Sequence, residues 1–211
     1  MAVFSFLSPD SKFMTVISRF ADLVFLNLLF VVTCLPVFTV GAAGTAMYSV
    51  LFRMIRQREG SIVKAYFRAF GENFRQGTAL WLLYLFITVP GAVYLDILYH
   101  REGPVRYLFA LFLLILILAV FVIGYALPWI SQFRNRIGDV LRNSLILSLS
   151  HIPQTLCLCG LNLLPWVLLA VKPDLLLDLS FLFVALYFSA AAYMNAALLW
   201  KVFKPYFPED A

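Results

Sequence analysis

The sequence predicts an all-α integral membrane protein, a polytopic bundle of about six transmembrane helices. Of its 211 residues, 63% are hydrophobic and only 13% are charged, and the mean hydropathy is +0.92. In a typical soluble domain roughly a quarter of the residues are charged, so we expect this chain to lie in a lipid bilayer. Lipid offers no water to the backbone, so a spanning segment must satisfy its own hydrogen bonds as a helix or a closed barrel. The apolar runs lack the alternating pattern of barrel strands, so we expect helices.

Five uncharged runs are each long enough for one crossing, which takes about 20 residues as a helix. They are residues 23–52, 76–95, 107–133, 143–171 and 179–200. The first contains Pro36 in PVFTVG, which predicts a turn with Thr39 as a helix cap and hence two crossings in this run. The predicted crossings are about 15–35, 39–56, 77–98, 106–130, 143–171 and 178–200. A bundle with five crossings is the alternative.

The distribution of Lys and Arg favours six crossings. With six, thirteen of the sixteen basic residues lie on the cytoplasmic side, whereas a single crossing in the first run leaves eleven there. Residues 1–211 are then one integral membrane domain with both termini in the cytoplasm. The net charge of +5 does not indicate nucleic acid, because the basic residues lie between apolar runs with no soluble domain to present them.

An internal repeat appears when the chain is shifted by 78 residues. RQREG, which begins at Arg56, then falls on RNRIG, which begins at Arg134, and Lys64 falls on Arg142. The repeat predicts two units, residues 41–98 and 119–171. In each, a helix runs inward to an Arg-x-Arg-x-Gly turn and a second helix runs outward.

The stretch from Arg53 to Arg75 holds six of the sixteen basic residues. Residues 61–76 are predicted to form an amphipathic cytoplasmic segment that begins at a Ser61 cap. Its helical spacing places Val63, Tyr66, Phe67, Phe70 and Phe74 on one face, and Lys64, Arg68 and Glu72 on another. Such a segment fits either anionic lipid headgroups or a docked partner. The candidate contact residues are Arg56, Arg58, Lys64, Phe67, Arg68, Phe70, Phe74, Arg75, Arg134, Arg136 and Arg142.

A second candidate site consists of polar residues in or near the apolar runs: Asp22, Asn27, Asp96, Asn162 and Asn195. Ionisable groups at membrane depth are costly and point to an ion or proton pathway. Structural roles compete with this interpretation. Arg19 is a local partner for Asp22, Asp96 lies near the outer boundary, and the asparagines suit hydrogen bonds between helices.

The sequence shows no recognisable catalytic or metal-binding motif. His100 and His151 have no ligand-like neighbours, and Cys157 and Cys159 diverge on a helix. The chain contains no phosphate loop, nucleophile elbow or HExxH, so we expect no enzyme, no cofactor and no ATP-driven transport by this chain alone. Small residues in GAAGTA (41–46) and SAAAYMNAA (189–197) predict close helix packing, either within the bundle or against another subunit.

The run Ser8 to Gln76 resembles the YesL-like family of Gram-positive bacterial membrane proteins. The resemblance lies in SRFADL, CLPVFTVGAAGTAMY and FRAFGENFRQ, and in a total length of a little over 200 residues. It implies a small polytopic protein without assigned catalysis, often encoded beside sugar-uptake ABC transporter components. The family supplies no catalytic residues to transfer onto this chain.

Three functions follow as hypotheses. The first is an accessory component of carbohydrate uptake that contacts sugar ABC transporter permease subunits through its cytoplasmic face. The second is an autonomous carrier or channel, with its pathway near Asp96, Asn162 and Asn195. The third is an assembly or sensing protein. The residues leave the ligand and the oligomeric state open.

Overall fold

The computed structural model describes residues 12–58, 60–100, 107–172, 174 and 178–207, with side-chain burial described from residue 17 onward except at residue 166. The described part of the chain is helical and contains no strand, which confirms the all-α class. The main helices are α1 (Lys12–Cys34), α2 (Val40–Ile55), α3 (Ile62–Tyr99), α4 (Tyr107–Ile130), α5 (Ile137–Ser150), α6 (Ile152–Val171) and α7 (Phe188–Phe203).

The first apolar run divides into two helices, as the proline predicted. Helix α1 ends at Cys34, and a 3₁₀ turn over Val37–Thr39 leads into α2. Thr39 occupies the N-cap position of α2 but makes no capping hydrogen bond there. Its hydroxyl donates instead to the carbonyl of Pro36 at 2.6 Å, which stabilises the turn.

Helix α2 forms the centre of the bundle. In its apolar span 67% of the residues are buried, whereas the most apolar window of α4 contains no buried residue. All residues of the small-residue run 41–46 are buried, so this run serves internal packing. A Cβ added to Gly41 would lie 2.1 Å from the carbonyl oxygen of Gly77 in α3. Only glycine permits the two backbones to approach so closely.

Helix α3 is a single helix of 38 residues, about 57 Å long at 1.5 Å per residue. The predicted amphipathic segment 61–76 and the predicted crossing 77–98 are therefore one continuous element. Ser61 is its N-cap residue, as expected, although the Ser61 side chain makes no capping bond. Because α2 and α3 follow each other closely in the chain and touch at Gly41 and Gly77, the first four turns of α3 run beside α2.

The predicted crossing over residues 143–171 consists of two helices that meet at a bend. Helix α5 ends at Ser150, α6 begins at Ile152, and the two meet at an angle of 105°. Pro153 contributes to the break, since it has no N–H for the carbonyl of Leu149 and its ring crowds the preceding turn. Thr155 holds the bend through a hydroxyl that donates to the carbonyl of Ser148 at 2.7 Å.

Among the described residues, five helices are long and apolar enough to cross a membrane, and α5 with α6 can add a sixth crossing. The last of these runs from Ser180 to Tyr206 and contains a π-helical segment, Phe183–Tyr187, before α7. Asn27 of α1 lies against this segment. Its amide nitrogen donates to the carbonyls of Phe183 and Val184, and its oxygen accepts the N–H of Ser189 at 2.8 Å. The π turn disrupts the regular hydrogen bonds of the helix backbone, and the Asn27 side chain bonds to backbone C=O and N–H groups at this place.

The two predicted repeat units share a hairpin, but their residues do not align as the sequence match suggested. Helices α2 and α4 end at residues 55 and 130, and the helices that follow begin at 62 and 137, a separation of 75 residues in both cases. Gly60 lies in the first turn with φ of +147°, a conformation that L side chains rarely adopt. Gly138 lies inside the first turn of α5. The matching letters RQREG and RNRIG therefore occupy different positions in the two turns.

Candidate functional site: a basic surface at one end of the bundle

The two basic turns of the chain meet at one end of the bundle. Nη2 of Arg56, after α2, donates to Oε1 of Gln132, after α4, at 2.9 Å. Nε2 of Gln76 in α3 donates to the carbonyl of Asn135 at 2.6 Å. These two hydrogen bonds join residues that are 59 and 76 positions apart in the sequence, so the two turns form one continuous face. We call this face the basic surface. It consists of the exposed side chains of Arg58, Lys64, Arg68, Arg75, Arg134, Arg136 and Arg142.

An open groove of about 610 Å³ crosses the basic surface between α3 and the α4–α5 turn. It is lined by Glu72, Asn73, Gln76, Arg134, Asn135 and Arg136. Every lining side chain is polar or charged, although the bundle around it is apolar. The groove can therefore accept hydrogen-bonding and anionic groups.

Glu72 is the acidic residue that faces these cations. Its carboxylate lies 2.9 Å from Nε of Arg68 and 3.9 Å from Nη2 of Arg134. Both arginine side chains are largely exposed, so each ion pair contributes at most about 1 kcal/mol. One carboxylate between two guanidinium groups leaves a net positive charge at the groove mouth.

Arg56 differs from the other predicted contact residues because it is half-buried inside an aromatic cluster. Its guanidinium carbon lies 4.7 Å from the ring centroid of Trp200 and 4.1 Å from that of Phe207. Desolvation, with the charge of Arg58 second, lowers the pKa of this guanidinium. Arg56 therefore joins the first basic turn to the end of α7 and is not part of the exposed surface.

The aromatic residues of α3 do not form one exposed face. Tyr66 is fully buried, and its hydroxyl lies 2.6 Å from that of Thr33 in α1. Phe70 and Phe74 are half-buried, and Phe70 packs against the core. Phe67, 51% exposed, remains available to lipid or a partner. Much of the aromatic content that suggested docking is thus used for packing inside the bundle.

Of the five polar residues predicted near membrane depth, Asn162 and Asn195 contact each other, and the five do not form one site. Asn27 serves the π segment as described above. Asn195 of α7 is fully buried, and its amide nitrogen donates to Oδ1 of Asn162 in α6 at 3.3 Å. Hydrogen bonds between elements were the structural expectation for these asparagines, and the geometry confirms them.

Asp22 and Asp96 take no part in the hydrogen bonds of Asn27 or of the Asn162–Asn195 pair. Asp96 is exposed near the end of α3, where His100 donates to its backbone carbonyl at 2.9 Å. Ion pairs among the described residues all involve Glu72, so the expected pairing of Asp22 with Arg19 is wrong. At one α-helical turn apart the side chains can face each other, but spacing alone does not require contact.

A polar cluster at the α5–α6 bend was not anticipated. The Tyr125 hydroxyl of α4 lies 3.0 Å from that of Thr155, which in turn bonds the Ser148 carbonyl. The sequence indicates an interruption at Pro153, but it does not indicate that Tyr125 and Thr155 meet there. The described residues contain no group of three or more His, Cys, Asp or Glu side chains that could hold a metal ion.

Comparison with known proteins adds one family match. A family model described as "Protein of unknown function, DUF624" matches residues 23–97, about a third of the chain. No curated protein and no solved structure matches the chain. The matched segment runs from α1 almost to the end of α3, so it contains the first basic turn and leaves α4 to α7 outside.

Proposed function

We propose that this protein is a YesL-like accessory component of carbohydrate uptake in a bacterial cytoplasmic membrane. In this proposal the basic surface faces the cytoplasm and binds a permease subunit of a sugar ABC transporter. The resemblance over Ser8 to Gln76 supports the link to carbohydrate uptake. The bias of basic residues toward one side supports the orientation.

The observation that carries the proposal is the joining of two distant basic turns into one grooved surface. Simple anchoring in the headgroup layer needs only scattered cations near the membrane. Here Gln76 and Asn135 tie α3 to the α4–α5 turn, and Arg134 and Arg136 line a groove with polar walls. An open groove lined by polar and charged side chains is suited to recognise an acidic or hydrogen-bonding segment of a partner.

Affinity purification from gently solubilised native membranes tests this proposal. The variant R68Q/R134Q/R136Q removes cations at the groove, and the control K172Q removes an exposed cation at the other end of α6. We expect the wild type and K172Q to recover a sugar permease subunit, and the triple variant to lose most of it. Recovery of the same background proteins by all three, without a permease, would reject the proposal.

The same strains separate a direct role in uptake from a role in assembly. Permease abundance and sugar uptake per permease are measured after deletion of the gene. A component that acts on the working transporter changes uptake per permease, whereas an assembly factor lowers the abundance. Normal values of both after deletion would contradict either role.

A further inference from the structure

Helix α5 has the length and direction of a helix that lies along the membrane surface. Its 14 residues span about 21 Å, which is short of the roughly 30 Å hydrocarbon core. Helix α6, with 20 residues, is long enough to cross alone. Because α5 meets α6 at 105°, a crossing α6 places α5 close to the plane of the bilayer.

The two faces of α5 fit this placement. Val140, Ser144 and Leu147 are buried against the bundle. A second row consists of Leu145, Ile146 and Leu149, with exposed fractions of 37% to 51%, and exposed Arg142 lies on the same side of the helix. An aliphatic row of this extent on a helix at the membrane surface is stabilised by insertion below the headgroups.

The charged residues in and next to α5 favour anionic phospholipid. Arg134 and Arg136 lie just before α5 and line the groove, and exposed Arg142 lies on the helix itself. Asp139 is the single acidic residue of α5. The excess of arginine next to an aliphatic row matches the phosphate and the acyl chains of an anionic phospholipid.

We propose that α5 is a surface-lying membrane helix whose Arg142 contacts the phosphate of an anionic phospholipid. Leu145, Ile146 and Leu149 follow Arg142 at helical spacing and contact the acyl chains on the same side of α5. The groove lined by Arg134 and Arg136 remains the partner surface of the proposed function. This site does not depend on a role in carbohydrate uptake. Its tests use purified protein, so its failure and that of the proposed function are distinguishable.

The first experiment measures depth in the bilayer. Single cysteines replace Gly138, Leu145 and Leu149, which share one side of α5, in a chain whose three native cysteines are changed to alanine. A Cβ at Gly138 meets nothing within 4 Å. Each cysteine carries a fluorophore in phosphatidylcholine–phosphatidylglycerol vesicles, and nitroxide lipids quench it from known depths. We expect all three positions at one depth within about 5 Å, as for an interfacial helix. A helix that continued into the membrane would separate positions 138 and 149 by about 16 Å, and that result would overturn the placement.

Helix α3 supplies the matched control for depth. Phe86 and Ile97 are exposed on a continuous helix and lie 11 residues apart. Labels at these positions should differ in depth by about 16 Å if α3 crosses upright. This difference verifies that the quenching method resolves an upright helix from a flat one.

The second experiment measures lipid selectivity. Wild type, R142Q and K172Q are reconstituted into equal mixtures of phosphatidylglycerol and phosphatidylcholine, and the lipid retained after detergent washing is quantified. One lost cation near the headgroups lowers affinity about fivefold, so R142Q should lose preference for phosphatidylglycerol by about that factor and K172Q should keep it. Unchanged preference in R142Q would overturn the site.

Inorganic phosphate distinguishes the two sources of the anion. Added at millimolar concentration, it should leave the retained phosphatidylglycerol in place, because the acyl chains also bind. Full displacement by phosphate alone would mean that Arg142 takes a free anion and would contradict the lipid assignment. Depth measurements on R142Q show whether it retains the fold, since its α5 labels should stay at the wild-type depth.

Discussion

The two basic hairpins of this protein begin alike and end differently. In the first, α3 continues for 38 residues from its turn through the bundle. In the second, α5 ends after 14 residues, and the chain turns by 105° into α6. Under the 78-residue shift, Pro153 of the second unit corresponds to Arg75 of the first. Similar charge at a turn therefore does not determine whether the following helix continues or bends.

The largest expected effect comes from moving the break into the first hairpin. Arg75→Pro removes an N–H from the middle of α3 and crowds the preceding turn, which should cost about 3 kcal/mol or more. Unfolding in detergent micelles, followed by far-UV circular dichroism, measures the loss. Arg75→Ala is the matched control and should unfold nearly as the wild type does. Equal stability of the two variants would show that α3 does not need its continuity.

The contact between α2 and α3 gives the next effect. Gly41→Ala places a Cβ against the backbone of Gly77 and should cost about 1 to 3 kcal/mol in unfolding free energy. Gly71→Ala serves as the control, since a Cβ there meets nothing within 4 Å. It should be neutral or stabilise α3 by up to about 1 kcal/mol. A Gly41→Ala protein as stable as Gly71→Ala would contradict the close packing of this hairpin.

Arg56 and Arg134 coincide under the sequence shift but differ in their surroundings. Arg56→Gln removes two cation–π contacts and a hydrogen bond, and we expect a loss of about 1 to 2 kcal/mol. Arg134, whose side chain is 92% exposed, should change stability by less than about 0.5 kcal/mol when replaced by glutamine. Thermal unfolding of the two variants in one detergent provides the comparison, and equal losses would contradict it.

The smallest expected effect concerns the bend itself. Thr155→Val removes the hydroxyl that connects Tyr125 to the Ser148 carbonyl and should cost about 1 kcal/mol. Thr88→Val in α3 is the control, because that hydroxyl donates only to the Tyr84 carbonyl of its own helix. Its loss should be smaller. A spin-label distance between α5 and α6 shows whether the bend widens in the Thr155 variant and remains unchanged in the control.

Several features of the fold could be predicted because they depend on local chemistry. The apolar runs give the helices, and Pro36 separates α1 from α2 since it removes a backbone donor. The basic turns also follow from the sequence, because uncharged runs leave few other places for arginine. The segment after Ser61 was expected to be helical, and it is.

Other features depend on contacts that no local pattern records. The carbonyl of Phe183 that Asn27 binds lies 156 residues further along the chain. Tyr66 and Phe67 are neighbours of similar character, yet packing buries the first and exposes the second. The meeting of Arg56 with Trp200 likewise arises only once α7 is in place. These contacts decide which parts of the basic stretch belong to the surface.

Labelling from the two sides of the membrane tests the central claim most directly, namely that both basic turns form one cytoplasmic surface. Single cysteines replace Arg58 in the first turn and Arg136 before α5, in a chain without native cysteines. An impermeant maleimide should label neither in intact cells and both after the membrane is permeabilised. Labelling of either position in intact cells would contradict the account.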